Sequence, residues 1–247
     1  MVSFSDCIYP TSNVLAPKER HPEDPYVALN WYFNIHIMEI LSFEDVTLAS
    51  EGRDEGVQHD FKTSLKLEYS QPDDGYLFDM ATGMRLRHSV VVASHIFQHR
   101  WKKQLSKFTS FTDINDVRNG LLLYTPVDWA FDRAKICVEV DAESKMTFRL
   151  LDQSLGGINL ADKARSLRME RGGSDDDLIG NEAEIKTTFG DLNGQPLKFP
   201  EGVVSRPSKR MLGFHAVTAR MFAQSQTTER LRPIVYNTSN DESLWRI

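Results

Sequence analysis

The stretch 119-NGLLLYTPVDWAFD-132 decides how this chain is read. Leu121, Leu122 and Leu123 form a short apolar run opened by the turn pair Asn119-Gly120, the pattern of a buried strand. Thr125, Pro126, Val127 and Asp128 then spell a helix start, with a hydroxyl at the N-cap, proline at the first helical position and an acid at the third. The spacing predicts a helix over roughly 126–134, with Asp128 as the acid of a capping box that also complements the helix dipole.

Upstream, SVVVASHIF (89–97) is rich in β-branched residues and reads as a strand ending near His95. HRWKKQLSKF (99–108) reads as a short basic helix or loop. Downstream, KICVEV and KMTFRLL alternate around DAES and predict a hairpin, and Asn193-Gly194 signals a second one. After Pro207, the residues Met211, Phe214, Thr218, Met221 and Phe222 recur at helical spacing and predict a long C-terminal helix.

Towards the N-terminus, FKTSLKLEY (61–69) places Phe61, Leu65, Leu67 and Tyr69 on one face and Lys62, Ser64, Lys66 and Glu68 on the other, as a half-buried strand would. PDDG (72–75) is a turn, and YLFDM (76–80) is read as the partner strand. Residues 1–26 carry four prolines among polar residues and read as an irregular arm; VALNWYFNIHIMEIL (27–41) is apolar enough to be core as helix or strand. GGSDDDLIGNEAE (172–184) reads as a solvated polar loop. These elements make one α+β domain with decorations.

A length of 247 residues and a 40% hydrophobic content suffice for a proper core. No secretory or transmembrane pattern is found, so a soluble, cytoplasmic protein without a membrane partner is expected. The two cysteines, Cys7 and Cys137, cannot build a disulfide framework, and with no CxxC pair a structural zinc is not expected. The net charge of −6 disfavours non-specific nucleic-acid binding. Between Asp79 and Lys135, however, nine basic residues face five acids, so the middle of the chain is locally basic.

A strand ending at His95, a second strand opened by Asn119 and a helix from Thr125 make a ββα order. On MATG (80–83), VVVASHIFQHRW (90–101), RNGLLLYTPVDWAFDRAKICV (118–138), FGDLNGQPLKF (189–199) and LGFHAVTAR (212–220), the chain resembles the HNH, or ββα-metal, nuclease family, and especially its large fungal group. The resemblance implies a single domain built around a ββα-metal (HNH-like) core with added hairpins and a C-terminal helix. It divides the chain into an N-terminal arm and core-covering segment (1–78), an HNH-like domain (79–224) and a C-terminal tail (225–247).

By the same resemblance, His95 matches the general base and Asn119 the residue that orients the catalytic loop. Ser94 and Asp128 stand where metal ligands are usual. A serine hydroxyl replaces a charged ligand poorly, so weak metal affinity or none is expected, with Mg or Mn at Asp128 the alternative. Three readings follow. The first is a repurposed enzyme of fungal secondary metabolism using no cofactor. In it His95, Asn119 and Asp128 act on a small apolar metabolite, as a cyclase of Diels-Alder type or an isomerase, with His99, Trp101, Trp129, Phe214 and His215 lining the substrate pocket. The second is a magnesium-dependent endonuclease, with nucleic acid as partner. The third is a non-catalytic interaction module in which the acidic loop from Glu170 to Asp191 engages a partner.

Overall fold

The computed structural model describes residues 55–70, 74–109, 111–174, 182 and 185–235, with backbone alone at 55–58, 100, 104, 107, 108 and 224–235. All of these lie in one compact unit, Ala49–Ile247. The arm at 1–26, the apolar stretch 27–41, most of the acidic loop and residues 236–247 lie outside the described residues. In order, the elements are α1 (Glu55–Tyr69), β1 (Tyr76–Phe78), β2 (Arg85–Arg87), β3 (Val91–His95), α2 (Leu105–Phe108), β4 (Gly120–Tyr124) and α3 (Thr125–Asp132). They continue with β5 (Ile136–Val140), β6 (Met146–Leu150), α4 (Leu160–Glu170), α5 (Phe189–Leu192) and α6 (Lys209–Val235). The strands pair in sequence order as three antiparallel two-stranded sheets, which makes the unit α+β.

The central hairpin pairs β3 with β4, setting Val91 opposite Tyr124, Ser94 opposite Leu121 and His95 opposite Gly120. Every residue of β4 is buried, as its unbroken apolar run requires, because α1 and α3 both pack on this hairpin. Gly120 is extended, with φ −126°, so it serves no turn. A Cβ there would meet the Leu65 methyls at 2.5 and 2.6 Å and Phe61 Cζ at 2.8 Å. The glycine is needed for the close approach of α1.

The segment 61–69 is therefore helix and not the half-buried strand that its alternation suggests. Phe61, Leu65 and Tyr69 recur every four residues and are buried, which fits a helix face as well as a strand face. Leu67 is the residue that tells the two apart, and it is 66% exposed. Consequently YLFDM does not pair with 61–69; β1 pairs with β2, Leu77 opposite Leu86. Lys62 Nζ fastens α1 to the hairpin by donating to the carbonyls of His88 at 2.7 Å and Val91 at 2.6 Å, and burial lowers its pKa.

Asp79 joins the β1–β2 turn to the central hairpin. Its fully buried carboxyl accepts from the N–H groups of Tyr124 (2.8 Å), Thr82 (2.8 Å) and Ala81 (3.3 Å) and from Thr82 Oγ1 (2.6 Å). Met80 N–H adds a bond to the Leu122 carbonyl at 2.9 Å. Burial pushes the Asp79 carboxyl above the usual carboxylate range, against the pull of those donors.

The hairpin around DAES forms as expected, Val138 opposite Phe148, and α6 lies along β5. Glu139 ties them, bonding Arg149 of β6 and Arg220 of α6. Met211, Phe214, Thr218 and Met221 are buried along one side of α6, as their spacing predicts. Cys137 is buried and its thiol is pushed up to about 12, which makes it an unreactive packing residue. Asn193-Gly194 does not turn a hairpin. Asn193 follows α5 and its Oδ1 accepts from Leu150 N–H, while Phe148 N–H donates to the Gln195 carbonyl, so the chain runs beside β6. Gly194, at φ +83°, makes that turn possible, but the neighbour it joins is an existing strand edge.

Two outcomes are expected. Gly120→Ala overpacks the α1 contact and lowers stability by about 1–3 kcal/mol in urea unfolding. For Asp79, the folded-state pKa lies above the unfolded one, so its contribution is full in acid and is lost as pH rises through the folded value. The stability advantage of the wild type over Asp79→Asn should then be largest in acid and shrink towards neutral pH.

Candidate functional site

Successive residues at the end of β3 serve opposite faces of the hairpin. Ser94 reaches α3, donating its hydroxyl proton to Asp128 Oδ1 at 2.6 Å. The two positions that the sequence assigned to a metal shell are thus adjacent in space and joined by a short, charge-assisted hydrogen bond. Ser94 is buried and Asp128 half-buried.

The expected capping box does not form. Tyr124 is the N-cap residue and makes no side-chain cap; Thr125 is already the first helical residue. Thr125 spends both its N–H (2.9 Å) and its hydroxyl (2.8 Å) on the Val90 carbonyl, at the start of the neighbouring strand. That cross-strand acceptor wins the hydroxyl, which shifts the helix to 125–132 and leaves Asp128 in the first turn facing Ser94.

His95 turns the other way. Its ring stacks on Phe61 of α1, centroids 3.9 Å apart and planes within 12°, and its Nε2 lies 3.1 Å from Asn115 Oδ1. The ring of His99, opening the 3-10 turn His99–Gln104, meets it edge-on at 6.0 Å. His95 is 9% exposed, so the imidazole is sheltered without being sealed. Phe61 and Asn115 were not singled out from sequence. Nothing in their spacing relates them to His95, since α1 and the loop before β4 meet it only in the fold.

Asn119 is fully buried and holds the segment between the two strands. Its Oδ1 accepts from Phe97 N–H at 2.7 Å, and its Nδ2 donates to the carbonyls of Ile114 at 2.8 Å and Phe97 at 3.2 Å. With the Asn119 carbonyl accepting from Ile96 N–H, this one residue fixes the chain leaving His95. It is a positioning residue for the loop that carries Asn115.

The aromatic candidates separate into two groups. Trp101 and Phe214 pack with Phe97, centroids 4.9 to 5.9 Å apart, and His215 stacks on Phe131 at 3.7 Å with its Nε2 at 3.3 Å from the Phe131 carbonyl. Trp101 and His215 line a small cleft with Gln98, Asp132, Thr218 and Phe222, whose volume of about 10 Å³ admits one water molecule. Trp129 lies apart, with Lys163, Arg133 and Lys135 at 4.1, 5.3 and 5.8 Å from its ring centroid.

A resident divalent metal does not fit this donor set. Asp128 brings one carboxylate, whose Oδ1 already accepts the Ser94 proton. Among the described residues no group of three or more His, Cys, Asp or Glu converges as a metal shell requires. What the site can do is accept and donate hydrogen bonds at Ser94–Asp128 and exchange a proton at His95, whose imidazole is the side chain suited to that near neutral pH.

Removal of Asn119 should be costly. Asn119→Ala strands one buried N–H and two carbonyls, and a loss of about 3 kcal/mol is expected in chemical denaturation, with faster amide exchange between 96 and 118. Asn119→Asp, which turns a carboxylate oxygen onto both carbonyls at a fully buried position, should cost at least as much at neutral pH and less in acid.

Residues 79–139 match the family model described as HNH endonuclease. No curated protein and no solved structure matches the chain. The matched span runs from the Asp79 staple through β3, β4 and α3 to β5, and so contains Ser94, His95, Asn119 and Asp128. Over this span, which holds the ββα core, the chain is similar to the HNH endonuclease family.

Proposed function

We propose that this HNH-like core is an enzyme site working without a resident metal, by proton transfer at His95 and hydrogen bonding at Ser94–Asp128, on a small, largely apolar metabolite. The observation that carries the reading is the 2.6 Å bond between Ser94 and Asp128, which engages both metal-shell positions with each other. The shelter of Phe61 over the His95 ring supports it further, because a largely desolvated imidazole suits a compact substrate better than a polyanion.

The chemistry is redox-neutral. His95 removes a proton from one substrate atom and returns it to another, an isomerisation; its cationic form donates to a substrate carbonyl and so polarises it, which a cyclisation of Diels-Alder type exploits. Asp128 accepts from a substrate hydroxyl or amide and fixes its orientation. The water-sized cleft at Trp101 and His215 is far below the few hundred Å³ of a metabolite pocket, and the reading does not rest on it. Magnesium-dependent nucleic-acid cleavage is the second reading, favoured by the HNH endonuclease match and by the basic excess between Asp79 and Lys135.

Full-length protein incubated with an organic extract of the producing cells should convert one component into an isomer of equal mass, followed by liquid chromatography and mass spectrometry. The conversion should persist in excess EDTA and fall about 100-fold or more in His95→Ala. Cleavage of DNA or RNA that requires magnesium or manganese and is lost in His95→Ala would instead establish the second reading.

A further inference from the structure

The loop before β4 brings His95 a side chain, Asn115, that is held in place from both sides. Its own N–H donates to Asp113 Oδ1 at 2.9 Å, the turn an aspartate makes with backbone two residues on. Before it, Ile114 is 1% exposed, and the Ile114 carbonyl accepts from Asn119 Nδ2 at 2.8 Å. After it, Asp116 accepts from Arg118 N–H at 2.9 Å and pairs with the Arg118 guanidinium at 2.7 Å. Its neighbours thus anchor Asn115 through the backbone, and its amide oxygen lies 3.1 Å from His95 Nε2.

That contact has a direction. An amide oxygen only accepts, so Nε2 carries the proton and the lone pair of the neutral ring is on Nδ1. Nε2–H is present in the neutral and in the cationic imidazole alike, so the bond persists when the ring takes up a second proton. A carboxylate in this place would favour the cation, whereas a neutral amide sets the tautomer without doing so. Phe61, stacked at 3.9 Å, fixes the plane of the ring, and Asn115 fixes the direction of Nε2 within it. The titratable side chain that meets the ring is His99, edge-on at 6.0 Å. Of the charged groups on the elements packed there, Lys62 of α1 donates to the His88 and Val91 carbonyls, and His59 pairs with Asp60 in solvent. In the loop, Asp113 and Asp116 are engaged with the N–H groups of Asn115 and Arg118.

We propose that Asn115 is the positioning residue of the reaction at His95: it keeps Nε2 protonated, so that Nδ1 is the atom that takes a proton from the substrate and returns it. This rests on the proton-transfer reading of His95 given above. Asn115 touches no reacting atom. Because its bond is the same before and after proton transfer, the ring needs no rotation between the two steps.

The test reads His95 directly, by 15N NMR of the ring nitrogens in the labelled full chain, and reads turnover separately. In the wild type above the His95 titration midpoint, Nε2 should be the protonated nitrogen and Nδ1 the unprotonated one. The isosteric Asn115→Asp should keep that tautomer and raise the His95 midpoint by at least about one pH unit, with the pH profile of turnover moving by the same amount. Asn115→Ala should populate both tautomers and lower kcat about tenfold or more, with KM little changed. A wild-type ring protonated at Nδ1 overturns the proposal, as does a midpoint unmoved in Asn115→Asp. Should Asn115→Ala not fold, as judged by near-ultraviolet circular dichroism, Asn115→Asp alone decides. The expected NMR result in a protein that converts no extract component supports the hold of Asn115 on His95 and overturns the proton-transfer reading instead.

Discussion

The contact of Phe61 and Leu65 with Gly120 is the constraint on which the rest of the unit depends. It lets a helix lie against a two-stranded hairpin at a distance no side chain at position 120 would permit. A lone hairpin is marginal in water, and this one becomes a buried scaffold because α1 covers one face and α3 the other. The same contact sets the environment of His95, because the residue opposite Gly120 in the pairing is His95 and the ring covering it is again Phe61. Packing and site chemistry are thus settled by one glycine.

Three polar staples hold the loops around that hairpin, and each satisfies backbone groups that burial would otherwise strand. Asp79 gathers the β1–β2 turn onto Tyr124, Asn119 gathers the chain after His95, and Lys62 ties α1 to the hairpin's leading edge. Asp79 and Asn119 are fully buried and Lys62 is half-buried. Two of them, Asp79 and Asn119, lie within the span 79–139 that matches the HNH endonuclease model, and both hold backbone there.

Much of the core was legible in the sequence. The strand ending at His95, the strand opened by Asn119, the helix after it, the hairpin around DAES and the long C-terminal helix all have strong local signals, and each forms. The failures share a cause. Residues 61–69 carry apolar spacings common to periods two and four, and only the position of Leu67 separates them. The Thr125 hydroxyl has two competing acceptors, and the winning one, Val90, is 35 residues away in the chain. Asn193-Gly194 is a genuine turn whose partner lies 43 residues upstream.

By itself the sequence determined the periodicities, the turn chemistry and the set of residues able to do chemistry, because these depend on near neighbours. It therefore carried the ββα order and named His95 and Asn119 as candidates, while their roles as base and positioner were only what the resemblance implies. Only the tertiary structure decided that Ser94 and Asp128 meet each other, that Phe61 and Asn115 surround His95, that Trp129 stands among cations away from Trp101, and that Glu182 is buried on Arg168. Each of those depends on which of several available partners lies within about 3 to 4 Å after packing. Local spacing does not encode that distance.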